Sequence, residues 1–393
     1  MAGSRSQRAD PAEALRGEFL LREDIVFLNH GSFGACPRPV FEDYQRWQLE
    51  LERQPVAFMA RRTQLLPEAR QALAAEVGCA RDDLVYVPNA TTGVSVVARS
   101  LPLGEGDEIL STNHEYGACD RAWEFACRRS GARYVKVPVP LPATRREELV
   151  ETIWRGVTPR TRVVFISHIT SPTALIFPVE ELVRRARDAG IWTLIDGAHA
   201  VGQIPLDLRT LDADFYAGNC HKWLCAPKGS GFLYARTELQ ELLAPPITSW
   251  GRTVQEGHPN PFVDEFEWQG TRDIAAYLAV PAAIRYQRER GWPAVRRLCH
   301  ELASWVRRAI LDQFGLEPLT PEGDEWYAQM VAVPLPPCDT AQVKQRLLDE
   351  YSIEIPLPNW QGRPLVRVSV QGYTTRRDLE RLVAALGGIL ASR

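Results

Sequence analysis

The stretch RVVFISHITSPTALIFPVEELVRRARDAGIWTLID, residues 162–196, decides the fold class. Residues 162–168 form an almost unbroken apolar run of the length of a buried strand. Residues 178–190 place apolar side chains at helical spacing and stop at Gly190, a residue that favours helix ends. Residues 191–196 are a second short apolar run, ending on Asp196. A strand, an amphipathic helix and another strand in direct succession form a crossover unit, which joins parallel neighbours in a sheet.

The same alternation extends upstream. Residues 83–88 read as a strand and 91–101 as a helix; 107–112 as a strand and 118–131 as a helix. A strand over 132–139 and a helix over 146–156 follow. Two helical patterns at 38–54 and 63–78 precede this series. The expected fold is therefore α/β with a mostly parallel sheet. Beyond residue 273 the texture changes to two long helical patterns, about 273–290 and 292–313, and then to short strands and helices of a smaller α+β unit. With 393 residues the chain exceeds what one core usually fills, which agrees with a division near 280–290.

Composition narrows the class of partner. A formal net charge of −3, with 24% charged residues, gives no electrostatic basis for binding nucleic acid or an anionic membrane surface. No run approaches the roughly 20 apolar residues of a membrane span, and residues 1–19 lack the apolar core of a secretory signal and are expected to fray. These features predict a cytoplasmic protein acting on a small molecule. Eight cysteines without a CxxC pair predict reduced thiols.

In open parallel sheets ligands sit outside the carboxyl ends of the strands, which singles out Asn89, Thr91, His114, His168 and Asp196. Lysine gives a second filter. It occurs only at 136, 222, 228 and 344, and the other 42 of the 46 basic residues are arginine. Lys136 alternates with apolar neighbours on a strand and Lys344 lies on the polar face of a helix, so both read as solvent-facing. Lys222 and Lys228 share the segment NCHKWLCAPKGSG, residues 219–231. Trp223 and Leu224 can desolvate the Lys222 ammonium and lower its pKa, as a Schiff-base lysine requires. Lys228, in a turn, reads as a surface or phosphate-contacting residue. A metal site at Cys220, His221 and Cys225 lacks a further ligand at orderly spacing.

Three more features have both a structural and a chemical reading. Asp196 either caps a turn or holds a pyridinium nitrogen protonated. The segment NATTGVSVV, residues 89–97, is an ordinary helix start or a phosphate cradle of backbone N–H groups. Arg367, on an apolar strand, forms a structural ion pair or clamps a substrate carboxylate. Their order along one chain favours the chemical readings jointly.

At these residues the sequence resembles the aminotransferase class V family of fold-type I pyridoxal-phosphate enzymes. The resemblance lies in IDGAHAVGQIPLDL (195–208) and DADFYAGNCHKWLCAPKGSGFLY (212–234). It is closest to the isopenicillin N epimerase-like branch through FLNHGSFGACP (27–37), NATTG (89–93), ISHITSPTALIFPV (166–179) and PLVRVSVQGY (364–373). The resemblance implies a large domain over 36–280 built on a seven-stranded sheet, a small domain over 281–393, and an N-terminal segment, 1–35, contributing to the active site. It implies pyridoxal 5'-phosphate in Schiff-base linkage to Lys222, with Asp196 at the ring nitrogen and His199 near the phenolic oxygen. Ala90, Thr91 and His221 would contact the phosphate, Tyr116 would stack on the ring with His114 as the alternative, and Asn29 and His30 would line the substrate pocket. Arg367 would take the α-carboxylate, and Thr271 would reach the phosphate of a partner subunit in a homodimer. The implied activity is racemisation or epimerisation at Cα, with a C–S or C–Se β-lyase or an aminotransferase as alternatives. Retention of Lys222, Asp196 and Arg367 argues against a non-enzymatic scaffold. An epimerase needs a second acid, for which His114, Tyr116 and Tyr216 are candidates. Residues 355–367, IPLPNWQGRPLVR, contain no cysteine, so the persulfide chemistry of the family's desulfurases is not expected.

Overall fold

The computed structural model describes residues 11–252 and 260–391. Residues 1–10, within the stretch expected to fray, lie outside the described residues.

Seven strands form the central sheet: β1 (Leu84–Val87), β2 (Glu108–Thr112), β3 (Arg133–Val137), β4 (Thr161–Ser167), β5 (Trp192–Gly197), β6 (Phe215–Asn219) and β7 (Gly231–Ala235). Their spatial order is β1-β7-β6-β5-β4-β2-β3. Neighbours from β6 to β3 run parallel, while β7 is antiparallel to both β6 and β1. The expected mostly parallel sheet is present, and β7 is the reversed strand that the sequence pattern did not reveal.

Side-chain alternation along the strands supplies two cores, one on each face of the sheet. Val163, Phe165 and Leu194 pack into one; Val164, Ile166 and Ile195 pack into the other. Because both faces are covered, these strands read as continuous apolar runs rather than alternating ones. The helix Val179–Asp188 covers one face through Leu182, Val183 and Ala186. The helix Ala90–Ser100 covers the other through Val94, Val96 and Val97.

The single helical pattern read over 273–290 is two helices, Ala275–Leu278 and Val280–Glu289, with Pro281 in the first turn of the second. A proline there lacks the N–H that would continue the helix before it. The long helix Trp292–Phe314 follows. It packs against β8 (Met330–Pro334) of a three-stranded antiparallel sheet in the order β9 (Asn359–Trp360), β10 (Arg363–Ser369), β8. The N-terminal segment joins this late part of the chain. Val26–Phe27 pairs in parallel with Ile353–Glu354, and Asn29 bridges to Ser369. Helix and strand ends thus converge where β4, β5 and β6 terminate.

Candidate active site

A cavity of about 460 Å³ lies at those strand ends, between the start of the helix Ala90–Ser100 and β10. Ala90, Thr91, Tyr116, Asp196, His199, His221, Lys222 and Arg367 all line it, as does Lys228. Residues scattered over nearly 280 positions in sequence thus meet around one space.

Lys222 follows β6, in the turn that leads to β7. Its Nζ lies 3.3 Å from His199 Nε2. The indole N–H of Trp223 donates to His199 Nδ1 at 3.3 Å, which assigns the ring proton to Nε2. Burial drives the His199 pKa far down, and the charges of Lys222 and Arg367 push the same way, so the ring is neutral. Lys222 itself is pushed down to about 8, first by burial and further by Arg367, while Asp196 opposes the shift. A buried neutral imidazole beside it therefore favours the free amine, the form that attacks a carbonyl.

Asp196 is the penultimate residue of β5, with 3% of its surface exposed. One oxygen accepts the Ala198 N–H at 2.9 Å; the other meets only the Cys119 thiol, at 3.4 Å. Burial raises its pKa. Among the described residues no lysine or arginine forms an ion pair with it. A carboxylate this buried and this sparsely bonded is matched by a cationic N–H donor placed in the cavity.

Beside it stands a pair that the sequence reading missed. Ser167 is the register partner of Asp196 and lines the same cavity. Its backbone N–H, at 2.8 Å, and its hydroxyl both donate to one oxygen of Glu115; Thr112 Oγ1 donates to the other at 2.7 Å. Burial and, more weakly, the nearby Asp196 charge push the Glu115 carboxyl up to about 8.

At the other end of the cavity Asn89 caps the helix Ala90–Ser100. Its side-chain oxygen accepts the Thr92 N–H at 2.9 Å, and the Ala90 N–H donates to Asn219 at 2.8 Å. Thr91 sits between these two fixed points at the positive end of the helix dipole. His221 donates from Nδ1 to the Ser230 carbonyl at 2.8 Å, and burial lowers its pKa to about 4. The site combines a helix start for a phosphate, a buried carboxylate for a ring N–H, and a free-base amine for an aldehyde. Its donor set fits pyridoxal 5'-phosphate.

Arg367, on β10, is 6% exposed. Nη1 donates to the Ser171 carbonyl and hydroxyl at 2.8 and 3.0 Å, and Nη2 to Ser32 Oγ at 3.0 Å. Its Nε has no partner, and no carboxylate pairs with the guanidinium among the described residues. The structural ion pair considered for it is therefore absent. Burying a charge without its counterion is strongly unfavourable, so the position suits an anionic ligand group.

Four residues lie elsewhere than expected. His30, expected in the substrate pocket, is fully buried beneath it: Nε2 donates to the Lys222 carbonyl and Nδ1 contacts the Tyr373 hydroxyl, both at 3.0 Å. Asn29 accepts the Ser32 hydroxyl and so reaches the cavity only through Ser32. His114 points away, bonded to Thr173 and the Val139 carbonyl with its ring 4.5 Å from that of Trp360. Tyr216 is fully buried and bonded to His168. Thr271, expected to act at a partner subunit's site, is exposed and does not line the cavity of its own chain. Cys220 and Cys225 are fully buried free thiols that pack in the core, and Lys136 is exposed and paired with Asp120.

Known proteins resemble this chain in sequence and in structure. The aminotransferase class-V family model matches residues 39–382. The isopenicillin N epimerase of Streptomyces clavuligerus is 38% identical over 96% of this chain and 98% of its own length. A probable chloroplastic L-cysteine desulfhydrase of Arabidopsis thaliana is 29% identical over 93% of this chain and 83% of its own. The fold is shared with a solved structure of C-DES that carries glycine covalently linked to its PLP cofactor. That match has a TM-score of 0.84 and 23% identity over 95% of this chain and 98% of the other. The chain belongs to the aminotransferase class-V family and is a pyridoxal 5'-phosphate-dependent enzyme.

Proposed function

We propose that the enzyme racemises or epimerises an amino acid or an amino-acid-derived substrate at Cα, in the manner that the name isopenicillin N epimerase describes. The observation that carries this reading is the meeting of Lys222, Tyr116 and Arg367 on one cavity: two proton-handling groups and a carboxylate clamp. Pyridoxal 5'-phosphate, when bound, supplies the electron sink that makes a Cα proton removable. Ala90, Thr91 and His221 would hold its phosphate, Asp196 its ring nitrogen, His199 its phenolic oxygen and Lys222 its aldehyde carbon, with Tyr116 against the ring.

Within that frame the protein's own groups divide the work. Arg367 fixes the α-carboxylate and thereby the direction in which the Cα–H bond points. The Lys222 amine, free base above about pH 8, takes the proton. Return of a proton to the opposite face needs a second acid. Of His114, Tyr116 and Tyr216, only Tyr116 lines the cavity, and it is 48% exposed. Tyr116 is therefore the second acid in this reading.

A β-lyase is the second reading, favoured by the desulfhydrase relative. Among the described residues no cysteine lines the cavity, so such a reaction would proceed without a protein persulfide. The exposed position of Thr271 suits a homodimer in which it reaches the partner's phosphate site. The division into 1–35, 36–280 and 281–393 is part of the same reading, supported by the pairing of Val26–Phe27 with Ile353–Glu354. None of the helices in the described residues is long and apolar enough to cross a membrane, and a cytoplasmic location is proposed with the rest.

Incubation with a panel of L-amino acids in D₂O tests the reaction class. Deuterium at Cα without keto acid or sulfide supports epimerisation. Pyruvate with a released thiol supports the lyase, and no exchange across the panel counts against both.

A further inference from the structure

The two nitrogens of His199 meet partners of opposite need. Nδ1 receives the indole N–H of Trp223 at 3.3 Å, and Nε2 faces the Lys222 amine at the same distance. A neutral imidazole has one N–H and one lone pair, and the bond made by one nitrogen decides the state of the other. An indole N–H donates and never accepts, so the ring proton is kept on Nε2. Lys222 then meets a donor, and only its free-base form can accept from it. In the other tautomer two N–H groups would oppose each other at Nδ1. Nε2 would then offer its lone pair to an ammonium group and hold Lys222 charged.

Both rings are fixed for this contact. Trp223 and His199 are buried. Gln287 donates to the Trp223 carbonyl at 2.8 Å, and Gln203 to the His199 carbonyl at 2.6 Å. A Cβ on Gly202 would lie 2.6 Å from the carbonyl carbon of Trp223, so the turn after His199 rests on the backbone of the lysine loop. The His30 ring, 5.1 Å from that of Trp223, packs on the indole as well.

We infer that Trp223 is a positioning residue that selects the tautomer of His199 and thereby keeps the Lys222 amine free to react. This deepens the roles given above to His199 and Lys222 and rests on them. Other ionisable groups also act here. Burial lowers the Lys222 pKa most; Asp196 and Cys119 oppose that shift, and Arg367 adds to it. Burial, then Lys222 and Arg367, lower that of His199, and His221 beside Lys222 is kept neutral by burial. The indole N–H bonds to none of these but His199.

Trp223→Phe keeps an aromatic ring and removes the donor. Trp292→Phe is the matched control, because Trp292 is a buried indole whose N–H has no partner among the described residues. Apoprotein labelled with ¹⁵N-histidine reports the tautomer through its two-bond ¹H–¹⁵N couplings, with the His199 signal assigned by its loss in His199→Asn. Wild type and Trp292→Phe should carry the Nε2 proton, and Trp223→Phe should populate the Nδ1–H form. Condensation of the same apoproteins with pyridoxal is followed against pH. Below pH 8 the Trp223→Phe rate should fall roughly three- to tenfold, the worth of one hydrogen bond, and well above it should recover to wild type. The proposal is overturned if Trp223→Phe retains the Nε2–H form or leaves the pH midpoint unmoved. A loss of rate equal at every pH marks a structural role and overturns it too, as does the same shift in Trp292→Phe. Condensation of Lys222→Ala at the wild-type rate would instead remove the assignment of Lys222, so the two failures are told apart.

Discussion

Ser167 and Asp196 are register partners on adjacent parallel strands, and Ser167 is bonded through both its N–H and its hydroxyl to the buried Glu115. Two buried carboxyl groups therefore lie near each other, Asp196 on the cavity wall and Glu115 bonded to Ser167 of that wall, and Glu115 retains its proton up to about pH 8. A folded-state pKa raised above the unfolded value contributes stability that is fully present below about pH 4.5 and is lost as pH rises through 8. Glu115→Gln cannot ionise. Relative to wild type, its denaturation midpoint should therefore improve steadily from pH 5 to pH 8. A difference between the two proteins that stays constant across that range would rule out the buried proton.

Lys222 should react as an amine of pKa near 8 rather than 10.5. The rate at which apoprotein condenses with pyridoxal is expected to rise with pH and level off just above 8. Borohydride should fix the cofactor to wild type and leave Lys222→Ala unlabelled. Stable labelling of the alanine variant would place the Schiff base on another residue.

Arg367 tests the carboxylate clamp. Hydrogen bonds to a charged group contribute about 1.5–3 kcal/mol, so Arg367→Met should raise KM for an amino-acid substrate by about 10- to 100-fold. Arg367→Lys should recover only part of this, because an ammonium group cannot reproduce the planar fork. The binding of pyridoxal 5'-phosphate, measured by spectral titration, should change much less than KM. A parallel loss of cofactor would mean that Arg367 is structural.

Gly34 is a sensitive point of contact between the N-terminal segment and the lysine loop. Its φ is +71°, and an added Cβ would lie 1.9 Å from the His221 carbonyl oxygen. Gly34→Ala should cost at least about 1–3 kcal/mol from backbone strain alone. Because the clash falls on the backbone next to Lys222, cofactor retention on dialysis should fall with the denaturation midpoint. Wild-type retention in this variant would show that the loop adapts at little cost.

Much of the fold is legible because both faces of the sheet are covered, so each buried strand is an uninterrupted apolar run between turns. Strand direction is another matter: Gly231–Ala235 is as buried along its length as the adjacent β6 of the parallel set, and the short turn after Lys222 reverses it. At the site, the rule that ligands gather at strand ends picks out Asn89, Thr91 and Asp196, which line the cavity, but is off by one or two residues at two other strand ends. His168 and His114 were singled out, whereas Ser167 and Tyr116 line the cavity. Successive strand residues face opposite sides, so a displacement of one exchanges a cavity residue for a core residue. His30 was legible as special but not as buried, since its partners, Tyr373 and the Lys222 carbonyl, lie hundreds of positions away in sequence.

The pairing of residues 26–27 with 353–354, together with the Ser32–Arg367 hydrogen bond, sets a timetable for biosynthesis. Closing so long a loop is entropically slow. Residues 26–34, which leave the ribosome well before residues 363–369, must wait for β10 before they can settle against the Lys222 loop. The lysine and the phosphate cradle can form earlier, from residues 89–231, but the wall that carries Arg367 arrives last. The clamp for a substrate carboxylate is therefore completed only once β10 has been made, and a nascent chain that stalls short of it would lack that clamp.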